Sequence, residues 1–135
     1  MNVTSFLESF NSWASSQTDV KAVALVGSYA RDAATEGSDV DLLILTTDVA
    51  KYISDPSWVS MFGKTSEFLV EDWGKVTSMR TFYRDGLEVE YGFASPDWAR
   101  RPMDAGSLKV VMDGMKILFD PQNILSAVQQ EVLSG

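Results

Sequence analysis

The chain has no cysteine and no histidine. The first absence excludes disulfides, thiolate zinc sites and a cysteine nucleophile, and it suits a reducing, cytoplasmic setting. The second removes Ser-His-Asp catalysis, imidazole metal sites and histidine proton shuttles. Acid–base chemistry is left to carboxylates, lysine, tyrosine or water. Positive charge is scarce: 11 Lys and Arg stand against 19 Asp and Glu, for a net charge of −8. Such a surface disfavours polymeric nucleic acid and anionic lipid as partners. A free nucleotide escorted by Mg²⁺ stays acceptable, because the metal offsets the phosphate charge. Long apolar runs are missing too. No stretch approaches the ~20 residues of a membrane span, and no basic segment leads into a long apolar one at the N-terminus, so no signal peptide is expected.

What is present is enough for a globular core. The 135 residues, 45% of them apolar, match one ordinary domain. Residues 4–17 carry Phe6, Leu7, Phe10, Trp13 and Ala14 at helical spacing. Thr4 or Ser5 is the expected cap, with Glu8 completing a capping box with Ser5. Residues 21–26 and 40–46 read as buried strands, separated by a short helix or loop at 29–35 and a turn at 36–39. Residues 48–62 read as helical pieces broken at Pro56. A short strand is expected over 66–71. Residues 76–84 and 87–94 form a hairpin about Asp85-Gly86. A helical or irregular segment follows at Ser95-Pro96-Asp97. Residues 108–119 are expected to hold a last strand, KILFD, and Asp120-Pro121 to open a final helix to about Leu133. The pattern predicts a single α/β (α+β) domain with a mixed sheet flanked by helices.

The chemistry concentrates in two places. The first strand breaks at Gly27-Ser28, a turn whose backbone N–H groups and hydroxyl suit a phosphate chain. Asp39 and Asp41 follow at the start of the next apolar run, two apart and on one face. Side-by-side carboxylates repel each other unless a hard dication such as Mg²⁺ bridges them to phosphate oxygens. In the hairpin's second strand, Leu87, Val89, Tyr91 and Phe93 share one face and Glu88 and Glu90 the other. A mid-strand carboxylate is reasonable if Glu90 lies beside the two aspartates and shares their metal. Glu88 is the alternative third carboxylate. Each signal also has a plainer reading: a simple turn, a solvated strand end, an exposed strand residue. Joined in this order, the three point to metal-assisted chemistry on a nucleoside triphosphate. Arg80 and Arg84 read as solvated strand positions, with the lining of a nucleotide cleft as the alternative; the four tryptophans read as core or rim, Lys64 and Lys75 as surface charges, and Arg100-Arg101 as a basic pair after the hairpin, with contact to an acceptor or partner as its alternative.

Gly27-Ser28-Tyr29-Ala30-Arg31, a spacer, then Ser38-Asp39-Val40-Asp41, with Glu90 on the hairpin strand, resembles the signature of the polymerase-β-like nucleotidyltransferases, in particular the minimal nucleotidyltransferases. The resemblance covers most of residues 20–125, the core of a domain expected to span 1–135. Many relatives have Asp at the third place, where this chain has Glu. The resemblance implies transfer of a nucleoside monophosphate, AMP from ATP or another NTP, to an acceptor hydroxyl. It also implies two Mg²⁺ ions, one activating the acceptor oxygen and one stabilising the pyrophosphate leaving group. Asp39 and Asp41 would bridge the metals, and Glu90 would bind the acceptor-side metal and accept the proton. Gly27 and Ser28 would hold phosphates. Arg31 would touch phosphate or pair with Asp32 or Glu36.

Three acceptor or role classes stay open at this stage. Minimal relatives work as antitoxins with an all-α partner of the HEPN type, and others adenylylate small antibiotics. A non-catalytic nucleotide- or partner-binding module is the third class. A structural Ca²⁺ domain is disfavoured, because VDLLILT lacks the Asp-x-Asp-x-Asp-Gly loop.

Overall fold

A computed structural model of the chain describes residues 2–35 and 37–134. Helix α1 (Val3–Ser15) leads into β1 (Val20–Val26), and a 3₁₀ turn at Gly27–Tyr29 starts the connection to β2 (Val40–Thr46). Helix α2 (Val49–Ser54) and a 3₁₀ segment (Pro56–Phe62) precede three strands, β3 (Thr65–Asp72), β4 (Thr77–Tyr83) and β5 (Glu88–Ala94). A 3₁₀ turn (Pro96–Ala99), α3 (Ala105–Asp113), β6 (Lys116–Phe119) and α4 (Ile124–Ser134) complete the order. The sheet runs β3-β4-β5-β2-β1-β6. Only the β2–β5 ladder is parallel among the described residues; the other pairs are antiparallel. This is the mixed α+β architecture that the pattern predicts.

Strand alternation sorts the apolar residues into two layers. Val40, Leu42 and Ile44 of β2, with Val89, Tyr91 and Phe93 of β5, pack against Phe6 and Phe10 of α1, Tyr52 of α2 and Trp58. The opposite face carries Ala22, Ala24, Leu43, Leu45 and Ala94, covered by Trp98, Val111 and Leu125. The first layer is rich in aromatic contacts: Tyr52 stacks on Phe93 at 5.0 Å, and Trp58 meets Tyr91 edge-on at 4.7 Å. Buried polar tips are satisfied, as the rule for Tyr and Trp requires. The Tyr83 hydroxyl donates to the Val59 carbonyl at 2.8 Å and lies 2.7 Å from the Tyr91 hydroxyl, and Trp58 Nε1 donates to the Tyr52 carbonyl at 3.0 Å. β3 and β6 are the edge strands, and β3 leaves Phe68, Leu69 and Val70 exposed. No helix among the described residues is long and apolar enough to cross a membrane.

Several boundaries differ from the sequence reading. The cap of α1 is Asn2, whose side chain accepts from the Ser5 N–H at 2.7 Å, so Ser5 is a donor inside the first turn rather than the cap. The helix then ends at Ser15 instead of Gln17. Residues 108–119 hold most of helix α3 before the short strand; Asp104 caps it by accepting from the Ser107 N–H and hydroxyl. The final helix starts at Ile124, and Asp120 reaches forward to accept from the N–H groups of Ile124 and Ser126. The turn expected at 36–39 is closed one residue earlier, by Thr35 and Ser38; Glu36 lies outside the described residues.

One half-buried carboxylate ties the start of β1 to the end of β2 and to α2. Asp19 accepts from the Thr46 hydroxyl at 2.6 Å, the Tyr52 hydroxyl at 2.7 Å and Lys51 Nζ at 2.7 Å. Burial alone would raise its pKa; the Lys51, Thr46 and Tyr52 hydrogen bonds outweigh that and lower it from 3.8 to about 2. A carboxylate held below its unfolded value stabilises the fold above the unfolded pKa and stops doing so as pH falls through the folded one. Asp19→Asn is therefore expected to melt several degrees below wild type at neutral pH. The gap should close between pH 3.8 and about 2 in a pH series of thermal melts.

Candidate active site

The parallel β2–β5 ladder sets Asp41 directly opposite Glu90. Both lie near the N-terminal ends of their strands, on the face that carries Leu43, Leu45 and Ala94 further along. Asp39 immediately precedes β2. Carboxylate oxygens of Asp39, Asp41 and Glu90 all fall within 4.8 Å of one another. Glu88 does not join them; it hydrogen-bonds Arg80 Nη1 at 3.3 Å.

Three carboxylates at this spacing are electrostatically unfavourable alone. Asp41 shows it most: burial, then the adjoining Glu90 and Asp39 carboxyls, push its pKa from 3.8 to about 8. Its Oδ1 is buried without a hydrogen-bond partner. An orphaned buried oxygen inside a ring of hard oxygen donors is what a Mg²⁺ or Mn²⁺ ion satisfies. The residues present therefore fit a divalent cation.

Gly27 stands against this group for a steric reason. Its φ is +73°, in the left-handed region, and a Cβ there would run into the Asp41 carboxylate. The turn behind it is closed by the N–H groups of Ala30 and Arg31 on the Gly27 carbonyl and of Ala33 on the Ser28 carbonyl. Ser28 is half-buried in this turn, and Arg31 is exposed. Asp32 is held by Lys116 Nζ at 2.7 Å, while Arg31 lines the cleft and faces Asp113 electrostatically. The Glu36 alternative for Arg31 lies outside the described residues.

A cleft of about 500 Å³ opens over Gly27, Asp41 and Glu90. Trp73, from the β3–β4 turn, and Trp98 contribute aromatic lining, and Asp104 and Ser107 come from the start of α3. Gly92 lies two residues beyond Glu90 and also lines it; a Cβ at Gly92 would come 3.0 Å from the Leu42 carbonyl oxygen and 3.2 Å from Val76. A smaller cleft of about 300 Å³ adjoins it, sharing Lys75 and Trp98 and reaching Arg100 and Arg101.

Trp73, read as core or rim, is 62% exposed at the rim of the cleft. Sequence reasoning missed other groups. Lys75 is not an isolated surface charge; it lines both clefts and sits 3.6 Å from Asp104. Arg80 departs furthest from the solvated position expected of it. It lies within 4.0 Å of Glu71, 3.3 Å of Glu88 and 3.6 Å of Glu90. Burial would lower its pKa; the Glu90, Glu88, Asp39 and Glu71 charges outweigh this and raise it. The only sequence signal for Arg80 is its place in the hairpin register opposite Glu90.

A family model described as streptomycin adenylyltransferase matches residues 2–133. No curated protein matches the chain. Among solved structures, an aminoglycoside 6-adenyltransferase from Bacillus subtilis superimposes with a TM-score of 0.60 at 18% identity, over 73% of this chain and 37% of that one. The polymerase core of TRAMP, an RNA surveillance complex, gives 0.48 at 15% identity over 82% and 38%. A CCA-adding enzyme gives 0.48 at 13% identity over 96% and 32%. The chain thus spans about a third of the length of these proteins.

Two outcomes follow from the geometry. Asp41 has a folded pKa above its unfolded one, so the metal-free fold should lose stability as pH rises from about 4 to about 8. Asp41→Asn should remove that slope and melt above wild type at the alkaline end, as differential scanning calorimetry with chelator would read. Gly27→Ala should destabilise by roughly 1–3 kcal/mol in urea titrations, through its positive φ and the collision with Asp41.

Proposed function

The chain belongs to the streptomycin adenylyltransferase family, and from that membership we propose that it transfers AMP from ATP to an acceptor hydroxyl. The acceptor oxygen attacks the α-phosphorus, the α–β phosphoanhydride bond breaks, and pyrophosphate leaves. Asp39, Asp41 and Glu90 would hold two Mg²⁺ ions, which supply charge neutralisation and polarisation of the reacting oxygens. Glu90 would take the proton from the acceptor hydroxyl. The Gly27-Ser28 turn would receive the β- and γ-phosphates, with Gly27 permitting close backbone approach and Ser28 donating a hydrogen bond. Arg31 would add a charge-assisted contact to phosphate.

The single observation carrying this reading is the convergence of Asp39, Asp41 and Glu90 beside Gly27, at the base of an open cleft. For the acceptor, the cleft supports a small hydroxylated molecule bearing amines, such as an aminoglycoside. Asp104 and Asp113 line it together with Trp73 and Trp98, a combination suited to cationic and apolar faces of one ligand. An all-α protein of the HEPN type is the alternative acceptor, in an antitoxin role in the cytoplasm.

The test is incubation of the protein with ATP labelled on the α-phosphate, Mg²⁺, and a panel of aminoglycosides and all-α partner proteins. Label should pass to one acceptor, stop with chelator, and fall to background in Asp39→Ala/Asp41→Ala. Equal labelling by wild type and the double variant would defeat the assignment of these residues. ATP binding without transfer to any acceptor would favour the binding-module reading.

A further inference from the structure

Glu90 is a flexible side chain asked to stay beside two like charges. A glutamate has three rotatable bonds, and fixing them costs up to about 2 kcal/mol. Repulsion from Asp39 and Asp41 within 4.8 Å adds to that cost. With no opposing contact, the lowest-energy choice for a partly exposed glutamate is to swing into solvent. Arg80 supplies the opposing contact. It sits directly across the β4–β5 ladder from Glu90, and Nη2 is 3.6 Å from Glu90 Oε2. Nη1 hydrogen-bonds Glu88 at 3.3 Å, while Nε, 4.0 Å from Glu71, is buried without a hydrogen-bond partner. The Glu88 and Glu71 charges come from β5 and β3, on either side of β4. The Glu88 bond holds the guanidinium beside Glu90, so it faces that carboxylate without being drawn into the acidic site itself.

We propose that Arg80 is the positioning residue for the third carboxylate: its guanidinium, anchored by the hydrogen bond to Glu88, holds Glu90 in place to complete the metal-binding triad. This rests on the reading above that the triad binds divalent cations. It also gives Glu88 a role distinct from Glu90, that of an anchor rather than a ligand. The planar fork is essential, because one lysine ammonium cannot span three carboxylates with fixed geometry.

The proposal makes a prediction opposite in sign to simple electrostatics. Removing a positive charge beside a cation site should tighten metal binding if charge alone mattered. Mn²⁺ binding to the nucleotide-free protein, followed by the electron paramagnetic resonance signal of free Mn²⁺, reads this directly. Arg80→Gln should weaken Mn²⁺ about tenfold, and Arg80→Lys, which keeps the charge and loses the fork, should weaken it severalfold. A merely structural role would lower the melting temperature of both variants and leave Mn²⁺ affinity as in wild type. Unchanged affinity in Arg80→Lys, or tighter binding in Arg80→Gln, would overturn the proposal. Should Arg80→Gln not fold, the lysine variant decides alone. Wild-type protein that binds no Mn²⁺ would overturn the triad reading itself, and the role of Arg80 with it.

Discussion

The register of the parallel β2–β5 ladder is the constraint on which the site depends. It sets Asp41 across from Glu90, and the same pairing sets Leu42 across from Tyr91 and Ile44 across from Phe93. Side chains alternate, so a slip of one residue would carry Glu90 into the aromatic layer under α1 and α2 and move Tyr91 to the carboxylate face. That slip is prevented by the aromatic layer. Tyr91 is fully buried among Phe6, Phe10 and Trp58 and bonded to the Tyr83 hydroxyl. The hydrophobic side of the sheet therefore fixes where the acidic side presents its carboxylates. Core packing and site geometry are two readings of one alignment.

The cost of that alignment is concentrated at Asp41. Its neighbours in sequence, Val40 and Leu42, are buried, and its own carboxylate is pressed between Gly27 and two other acids. Sites that gather like charges are ordinarily functional, since nothing in folding rewards them. The Arg80 guanidinium, on the strand beside β5, faces the Glu90 and Asp39 charges of the same group. At the far end of β1 and β2, the Asp19 network with Thr46, Lys51 and Tyr52 holds the strands together by fully bonded charge. The two ends of the same strand pair thus treat carboxylates in opposite ways: one satisfied and acidic, one crowded and protonation-prone.

The strands and the hairpin were legible because period-two alternation and the Asp85-Gly86 turn are local signals. Asp39, Asp41 and Glu90 were legible as candidates because acidic residues among buried apolar ones are locally discordant. Helix α3 was not, since LKVVMD is too short for its periodicity to separate it from a strand, and its cap at Asp104 lies outside the apolar window. The cap of α1 was displaced because Asn2 and Ser5 both satisfy the same rule, and packing of Val3 on the core chose between them. Arg80 and Lys75 were misjudged for a different reason. Each acquires its surroundings from strand order: β3 beside β4, and β4 beside β5. Nothing in the neighbouring sequence of an arginine on an alternating strand announces that three glutamates will converge on it.

Gly92 has a bearing on ligand size. Beyond Glu90 along β5, the inward-facing position bears only hydrogen, while Leu42 and Val76 crowd the space a methyl would need. The sheet is thus closely packed at this point beside the carboxylates, by the Leu42 carbonyl and a Val76 methyl. A residue larger than glycine would have to displace one of these neighbours, whereas the exposed indole at Trp73, which also lines the cleft, has room to adjust to different guests.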